Sequence, residues 1–137
     1  AGKTLSPRCI INVSSTSGLH GNIGQLNYAT AKMGMVGFTK TVAKEWGAFG
    51  IRCNAVAFGY IETRLTQAKE SGETIAVDGE EIPLGVPGHM HDMVKMMIPL
   101  GRTGTVEEAA GGILLLASPF AGYINGHTLE VTGGMGI

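Results

Sequence analysis

Two short apolar runs on either side of a long helical pattern constrain the fold of this chain most. Residues 8–13 (RCIINV) and 51–57 (IRCNAVA) are nearly continuous apolar runs, which are typical of strands covered on both faces of a parallel sheet. Between them, from about residue 27 to residue 46, apolar positions recur with a helical period. A strand, a long helix and a strand predict a βαβ unit, whose right-handed crossover makes the two strands parallel. The sequence therefore predicts an α/β fold.

The first strand is expected to lead into a ligand-binding loop. Residues 1–7 indicate an irregular lead-in, and residues 14–25 contain three glycines, which predict a loop at the carboxyl end of the strand. Open α/β sheets bind their ligands outside the carboxyl ends of the strands. Candidate functional residues are therefore expected in this loop and just after it.

The last third of the chain adds a helix and a strand. Thr105 and Glu108 have the spacing of a capping box, which predicts a helix that begins there and ends at about residue 118. Residues 127–131 (HTLEV) predict a third short strand. The expected architecture is a single domain, residues 1–137, with a doubly wound parallel sheet of about three strands and flanking helices.

Composition excludes several classes of partner. The chain is 44% hydrophobic and 15% charged, with a net charge of −1, so neither a nucleic acid nor an acidic membrane surface is predicted to bind it. No apolar stretch approaches the ~20 residues that cross a bilayer. Cys9 and Cys53 lie inside apolar runs and are predicted to be buried, reduced thiols of a cytoplasmic protein, with a disulfide as the alternative.

The long helix is apolar around much of its circumference. One side should pack on the sheet, and a second apolar side would need another cover. Gly34 and Gly37 in its interior cost about 1 kcal/mol each relative to alanine, which close packing against another backbone could offset. We therefore expect a homo-oligomer, either a dimer or a tetramer.

Ser15, Tyr28 and Lys32 form the pattern with the clearest chemical use. Tyr28 and Lys32 are four residues apart and lie one turn apart on a helix. A free phenol titrates near ~10 and exchanges protons at neutral pH only if a nearby cation favours its phenolate. Taken singly, Ser15 could simply close a loop, and the other two could be a core tyrosine with a lysine stem over it. All three together, after a strand and at the start of a helix, favour a catalytic group.

The same residues carry a resemblance to a known family. Ser15, Tyr28 and Lys32, followed by NAVAFG at residues 54–59 and Ile-Glu-Thr at residues 61–63, resemble the carboxyl-terminal half of a short-chain dehydrogenase/reductase. The chain is most similar to the 3-oxoacyl-[acyl-carrier-protein] reductase group. The resemblance covers residues 8–134 and implies a partial Rossmann-like sheet.

The resemblance implies an NAD(P)-dependent oxidoreductase that interconverts a small-molecule carbonyl and an alcohol. In the family's mechanism Tyr28 would donate a proton to the carbonyl oxygen, Ser15 would position that oxygen, and Lys32 would assist Tyr28 and hold the nicotinamide ribose. The cofactor would be NADP or NAD. The alternative is a non-catalytic, stand-alone interaction module derived from such a reductase.

The residues implied to bind the cofactor extend beyond the catalytic group. Gly59 would allow the backbone to approach a flat ring, and the element from Ile61 to Thr63 would contact the carboxamide, although Thr63 could equally be a turn residue. Phe58 stands where the family has proline, which bears on the rigidity of this loop. The expected cofactor-binding residues are Tyr28, Lys32, Gly59, Ile61 and Thr63.

The family's glycine-rich turn for the cofactor's pyrophosphate does not occur before Arg8. Without that turn the pyrophosphate lacks a helix amino terminus, and the first strand has one edge without a partner. The sequence is therefore expected to be a fragment of such a reductase, and the isolated 137-residue chain is expected to be inactive.

Residues 64–104 are interpreted as a lid over the substrate. Glycine, proline and charge interleave there, and a short amphipathic helix is expected at about residues 91–97. His89 and His91 are two residues apart, and the other two histidines stand alone, so no metal site is predicted. The segment's methionines are expected to line an adaptable apolar pocket or a core face; they are Met90, Met93, Met96 and Met97.

Overall fold

The computed structural model of the chain describes residues 8–136, so the predicted lead-in at residues 1–7 lies outside the described residues. The helices and strands follow in this order: β1 (Arg8–Ser15), α1 (Thr16–His20), α2 (Leu26–Trp46), β2 (Ile51–Phe58), β3 (Thr74–Val77), β4 (Glu80–Pro83), α3 (Gly88–Met97), α4 (Val106–Ala117) and β5 (Thr128–Val131). Short 3₁₀ turns lie at Gly47–Phe49, Lys69–Ser71 and Pro119–Ala121.

A three-stranded parallel sheet organises the molecule. Its strand order is β1-β2-β5, and β1 pairs with β2 from Arg8 opposite Ile51 to Ser15 opposite Phe58. β5 pairs with the carboxyl half of β2. The predicted βαβ unit and the α/β fold class are confirmed.

Helices cover both faces of this sheet. Asn12 of β1 donates a hydrogen bond to Thr39 of α2 and contacts Cys53 of β2, so α2 lies on the face that carries Cys53. On α4, a side chain at Gly112 would meet Val56. Because Cys53 and Val56 are three residues apart in a strand, they point to opposite faces, and α4 covers the face opposite α2. The sheet is therefore doubly wound.

The core is concentrated around β2. Cys53, Asn54, Ala55, Val56 and Ala57 are all buried, as expected of a strand covered on both faces. From α2, the buried stripe consists of Val36, Thr39, Val42 and Ala43. The remaining sides of α2 are exposed in the single chain, including its apolar residues Leu26, Met33, Phe38 and Trp46.

The predicted loop at residues 14–25 is partly wrong. β1 continues to Ser15, and α1 follows at once, so the irregular segment is confined to residues 21–25. The Ser15 side chain caps α1 by accepting the Ser17 N–H. Gly18 allows α1 to lie against α2, because a Cβ there would be 2.8 Å from the Met33 nitrogen. Glycine serves here for close packing of two helices.

The segment of residues 64–104, which the sequence analysis interprets as a lid, contains a hairpin that was not predicted. Strands β3 and β4 pair antiparallel around Asp78 and Gly79, which have φ of 50° and 86°. Two consecutive positive φ values are the requirement of a type I′ turn, for which Asp-Gly is a preferred sequence. The amphipathic helix is confirmed as α3, which begins at Gly88, three residues earlier than expected.

The predicted helix near residue 105 is observed. The capping box of Thr105 and Glu108 is present, and α4 ends at Ala117.

Both cysteines are free thiols, but only Cys53 is buried. Cys9 is exposed because it lies near the start of β1, an edge strand in the described part of the chain. Burial raises the pKa of the Cys53 thiol, so it stays protonated and unreactive. Among residues 8–136, no helix is long and apolar enough to cross a membrane.

Candidate active site

Tyr28 and Lys32 meet on the first turns of α2. The Lys32 Nζ lies 5.6 Å from the centroid of the Tyr28 ring. The same ammonium donates a hydrogen bond of 3.1 Å to the backbone oxygen of Val13 in β1. The positive charge is thus tethered to the sheet and held beside the phenol. The predicted pairing of these two side chains is observed.

Ser15 occupies the carboxyl end of β1. The residue is 9% exposed, and its hydroxyl accepts one hydrogen bond, from the Ser17 N–H at 3.2 Å. A hydroxyl has one proton to donate and two acceptor lone pairs, so Ser15 keeps its proton available for a substrate oxygen. Its position opposite Phe58 puts it at the edge of the sheet where Gly59 follows β2.

The link between Ser15 and the other two residues runs through β1. Within residues 8–136, no direct hydrogen bond joins Ser15 to Tyr28 or Lys32. The two residues before Ser15 both bind Lys32. The Val13 backbone oxygen accepts a hydrogen bond from the Lys32 ammonium, and the hydroxyl of the buried Ser14 donates a 2.7 Å hydrogen bond to the Lys32 backbone oxygen. Ser14 therefore fixes α2 against the strand. Sequence reasoning missed this residue, whose only local signal is the Ser-Ser pair at the strand's end.

The residues expected to contact nicotinamide gather at a second place. Gly59, Ile61 and Thr63 line one cavity of about 320 Å³. The remaining wall is mostly apolar and consists of Phe58, Tyr60, Thr66, Val106 and Ala109. Ser15, Tyr28 and Lys32 do not line this cavity. The structure thus forms two groups of predicted residues, joined by the carboxyl ends of β1 and β2.

The packing of the protein's own backbone requires a glycine at position 59. A Cβ at this position would be 3.0 Å from the Thr132 Cα, so the chain after β5 approaches the backbone here. The Gly59 N–H donates to the Val131 oxygen at 3.0 Å, which continues the pairing of β2 with β5. On the other side, Thr16 Oγ1 donates to the Phe58 oxygen at 3.3 Å. The segment with phenylalanine in place of proline is therefore anchored by hydrogen bonds on both sides.

Thr66 organises the element from Ile61 to Thr63. Its hydroxyl donates to the Ile61 oxygen at 2.5 Å and accepts the Thr63 N–H at 2.8 Å. The Thr63 hydroxyl lies 3.1 Å from the same Thr66 oxygen. Sequence reasoning missed Thr66, although its spacing of three from Thr63 is the visible signal. The Thr63 hydroxyl is exposed and lies at the cavity.

Tyr60 lines the same cavity. Its hydroxyl donates to the Thr66 oxygen at 2.8 Å. Burial, and secondarily the charge of Glu62, raises the pKa of Tyr60, so the phenol stays neutral. Its role is to brace the turn that carries Thr66. Among residues 8–136, no group of three or more His, Cys, Asp and Glu side chains is placed to hold a metal ion.

Known proteins resemble the chain over almost its whole length. A family model described as "Enoyl-(Acyl carrier protein) reductase" matches residues 4–136. A (3R)-3-hydroxyacyl-CoA dehydrogenase from Mus musculus is 44% identical over 126 residues, which are 92% of this chain and 42% of the relative. A 3-oxoacyl-[acyl-carrier-protein] reductase from Aquifex aeolicus is 44% identical over 126 residues, with 92% and 44% covered.

A solved structure agrees with these sequence matches. The crystal structure of a short chain dehydrogenase from Bacillus anthracis superposes with a TM-score of 0.74 at 35% identity, covering 94% of this chain and 45% of that one. The chain thus spans less than half the length of these relatives. The parallel sheet, the Ser15, Tyr28 and Lys32 spacing and the family match lead to one conclusion: the chain belongs to the short-chain dehydrogenase/reductase family.

Proposed function

We propose that these residues form the catalytic part of an NAD(P)-dependent oxidoreductase that interconverts a carbonyl and an alcohol. The observation that supports this most is the Lys32 ammonium, held by the Val13 oxygen at 3.1 Å and placed 5.6 Å from the Tyr28 ring centroid. A purely structural tyrosine would gain only the cation–π attraction between this ammonium and its ring, about 0.5–1 kcal/mol at an exposed site. An acid that must lose a proton gains in addition from the positive charge, because the charge stabilises its phenolate.

Tyr28 transfers the proton, and Ser15 orients the substrate oxygen that receives it. In the reducing direction the Tyr28 hydroxyl donates its proton to the substrate carbonyl oxygen, and the nearby ammonium of Lys32 stabilises the negative charge that develops on the phenol. The free proton of Ser15 hydrogen-bonds the same substrate oxygen and orients it. In the oxidising direction the phenolate accepts the proton from the alcohol.

The cavity beside Gly59 fits the nicotinamide end of the cofactor. A glycine backbone, apolar side chains and one exposed threonine hydroxyl suit a flat ring that carries a carboxamide. When bound, the reduced cofactor supplies the hydride that converts the carbonyl carbon to an alcohol carbon. Gly59, Ile61 and Thr63 would hold the nicotinamide, while Tyr28 and Lys32 would contact its ribose. We propose NADP or NAD without preference.

The proposed substrate is a small-molecule acyl thioester with a 3-oxo or 3-hydroxy group. Two of the relatives carry this chemistry in their names, one on coenzyme A and one on acyl carrier protein. We also propose a cytoplasmic location, which the free thiols of Cys9 and Cys53 support, and a homo-oligomer. The non-catalytic interaction module is less well supported, because it gives no use to the combination of Ser15, Tyr28 and Lys32 at the family's spacing.

Removing the Tyr28 hydroxyl tests the proposal. In an enzyme that joins these residues to a dinucleotide-binding half, Tyr28→Phe should lower kcat by about 10²–10⁴-fold, as for loss of a general acid, while dinucleotide affinity stays nearly unchanged. The measurement is the initial rate at which the reduced nicotinamide dinucleotide is oxidised in the presence of acetoacetyl-CoA. Tyr123→Phe is the matched control, because Tyr123 is fully exposed. Unaltered kcat in Tyr28→Phe would remove this residue from the mechanism.

A further inference from the structure

A hydrogen bond joins the end of α1 to β5. His20 Nε2 lies 3.0 Å from Glu130 Oε2, although the two residues are 110 positions apart in the chain. A carboxylate only accepts hydrogen bonds, so the imidazole N–H donates this one, and the contact becomes an ion pair when His20 is protonated. Because α1 follows β1 directly and β2 lies between β1 and β5, the contact links the two outer strands of the described sheet.

Glu130 points to the face of the sheet on which α1 and α2 lie. Its register places it opposite Ala57 of β2, which in turn lies opposite Ser14 of β1. Residues that lie opposite one another in paired strands point to the same face. Ser14 donates its hydrogen bond to α2, so Glu130 faces the same side. One row of the sheet therefore carries two anchors, Ser14 for α2 and Glu130 for α1.

The helix α1 is too short to hold its shape alone. It has five residues, whereas isolated helices shorter than about 12–15 residues are marginal in water. Its amino end is fixed by the Ser15 cap and by Thr16, whose hydroxyl donates to the Phe58 oxygen. Among the side-chain hydrogen bonds within residues 8–136, only the one between His20 and Glu130 ties the carboxyl end of α1 to another element.

The position of α1 determines where the Ser15 hydroxyl points. The Ser17 N–H, in the first turn of α1, donates to the Ser15 oxygen at 3.2 Å, which occupies one acceptor position of that oxygen and restricts rotation of the side chain. If the carboxyl end of α1 came off the sheet, this N–H would move with the turn. The hydroxyl would then populate other staggered rotamers, and its proton would be aimed at the substrate oxygen for less of the time.

We propose that His20 and Glu130 are positioning residues for the reaction. Their contact holds α1 on β5 and thereby keeps the Ser15 hydroxyl directed at the substrate oxygen. This role rests on the function proposed above, in which Ser15 orients that oxygen. The two side chains are 43% and 30% exposed, so water screens their attraction, and its loss should lower kcat by about two- to fivefold. Neither residue lines the cavity at Gly59, so dinucleotide affinity should not change.

Substitution of His20 tests the role. In an enzyme that joins these residues to a dinucleotide-binding half, His20→Ala should lower kcat for acetoacetyl-CoA by about two- to fivefold, while the Kd of the reduced dinucleotide stays the same. His20→Gln should restore most of kcat, because an amide N–H can replace the imidazole donor. His127→Ala is the matched control and should keep the parent's kcat, since His127 is also exposed and lies just before β5.

A second substitution, Ser15→Ala, separates positioning from a general loss of stability. Ser15→Ala should lower kcat more than His20→Ala does, and adding His20→Ala to it should have no further effect, because the hydroxyl to be positioned is gone. Far-UV circular dichroism checks that the compared variants keep the same helix content.

Three results would overturn the positioning role. His20→Ala could keep the parent's kcat, His20→Gln could lose as much as His20→Ala, or His20→Ala could cost the same factor with and without the Ser15 hydroxyl. A different result would refute the proposed function itself: if Ser15→Ala alone leaves kcat unchanged, Ser15 does not orient the substrate, and the role of His20 and Glu130 is refuted with it.

Discussion

At the scale of single residues, Gly18 controls how closely α1 approaches the part of α2 that carries Lys32. A Cβ there would lie 2.8 Å from the Met33 nitrogen and 2.9 Å from the Lys32 Cβ. Gly18→Ala should therefore push α1 away from α2 and lower the free energy of unfolding by about 1–3 kcal/mol. Urea unfolding measures this. Gly111→Ala is the control, since nothing lies within 4 Å of its Cβ; it should stabilise by about 0.5–1 kcal/mol. Equal effects of both substitutions would refute the close contact.

The residues of the candidate site differ in whether the sequence could reveal them. Tyr28 and Lys32 were predictable because their chemistry depends on residue type and on a spacing of one helical turn. Ser14 was not predictable, because its partner is 18 residues away and the fold decides that they meet. Thr66 was missed for a different reason: its hydrogen bonds are local, but they depend on a turn whose shape the sequence pattern did not specify.

At the scale of elements, the start of α4 should respond to acid. Two side-chain bonds from Arg102 and the backbone N–H of Thr105 lower the pKa of Glu108 from 4.5 to about 2. A lowered pKa in the folded state stabilises the fold fully above the ordinary value, and this stabilisation is lost as the pH falls through about 2. The urea midpoint should therefore fall between pH 5 and pH 2, and less steeply in Glu108→Gln.

The neighbouring carboxylate provides the control for this prediction. Glu107 lies in the same first turn and makes none of these bonds, so Glu107→Gln should keep the parent's dependence on pH. If Glu108→Gln and the parent lose stability in parallel, the ion pair with Arg102 contributes nothing to the acid response. The carboxylate of Glu73, whose pKa is lowered by Gln67 and Arg64, contributes to the fall that both proteins share.

The long helices and the strands of the main sheet were predictable, whereas α1 and the hairpin of β3 and β4 were not. α2 has 21 residues and α4 has a capping box, so each carries a repeated local signal. α1 has five residues and depends on its packing against α2, which no local pattern encodes. The hairpin of β3 and β4 has strands of four residues, and its Asp-Gly turn was the signal that sequence reasoning overlooked.

At the scale of the whole molecule, the exposed apolar side of α2 should join a second copy. Met33 and Phe38 are about half exposed in the single chain, where only one stripe of α2 is buried. Phe38→Glu would place a charge in that contact and should shift a dimer or tetramer to smaller species in light scattering after size exclusion. Ile75→Glu, on the hairpin, should leave the assembly unchanged. A monomeric parent protein would refute the prediction.

The isolated chain should not hold a dinucleotide cofactor tightly. The 137 residues contain the cavity that we propose for the nicotinamide but not the family's glycine-rich pyrophosphate turn. The isolated chain should therefore show no tight, saturable binding of reduced nicotinamide dinucleotide and no turnover. Titration followed by cofactor fluorescence measures this, with the Aquifex aeolicus relative as the positive control. Saturable binding at micromolar concentration would contradict the prediction.

The outer side of β1 has a practical consequence. In the described residues, β1 pairs only with β2, so its other side presents unsatisfied backbone donors and acceptors along eight residues. Produced by itself, the chain should aggregate increasingly as its concentration rises. Co-production with the upstream half of a relative should suppress this aggregation, because a neighbouring strand would pair with that side. The same property would make the pair usable as a split reporter, in which regained turnover signals that the halves have met.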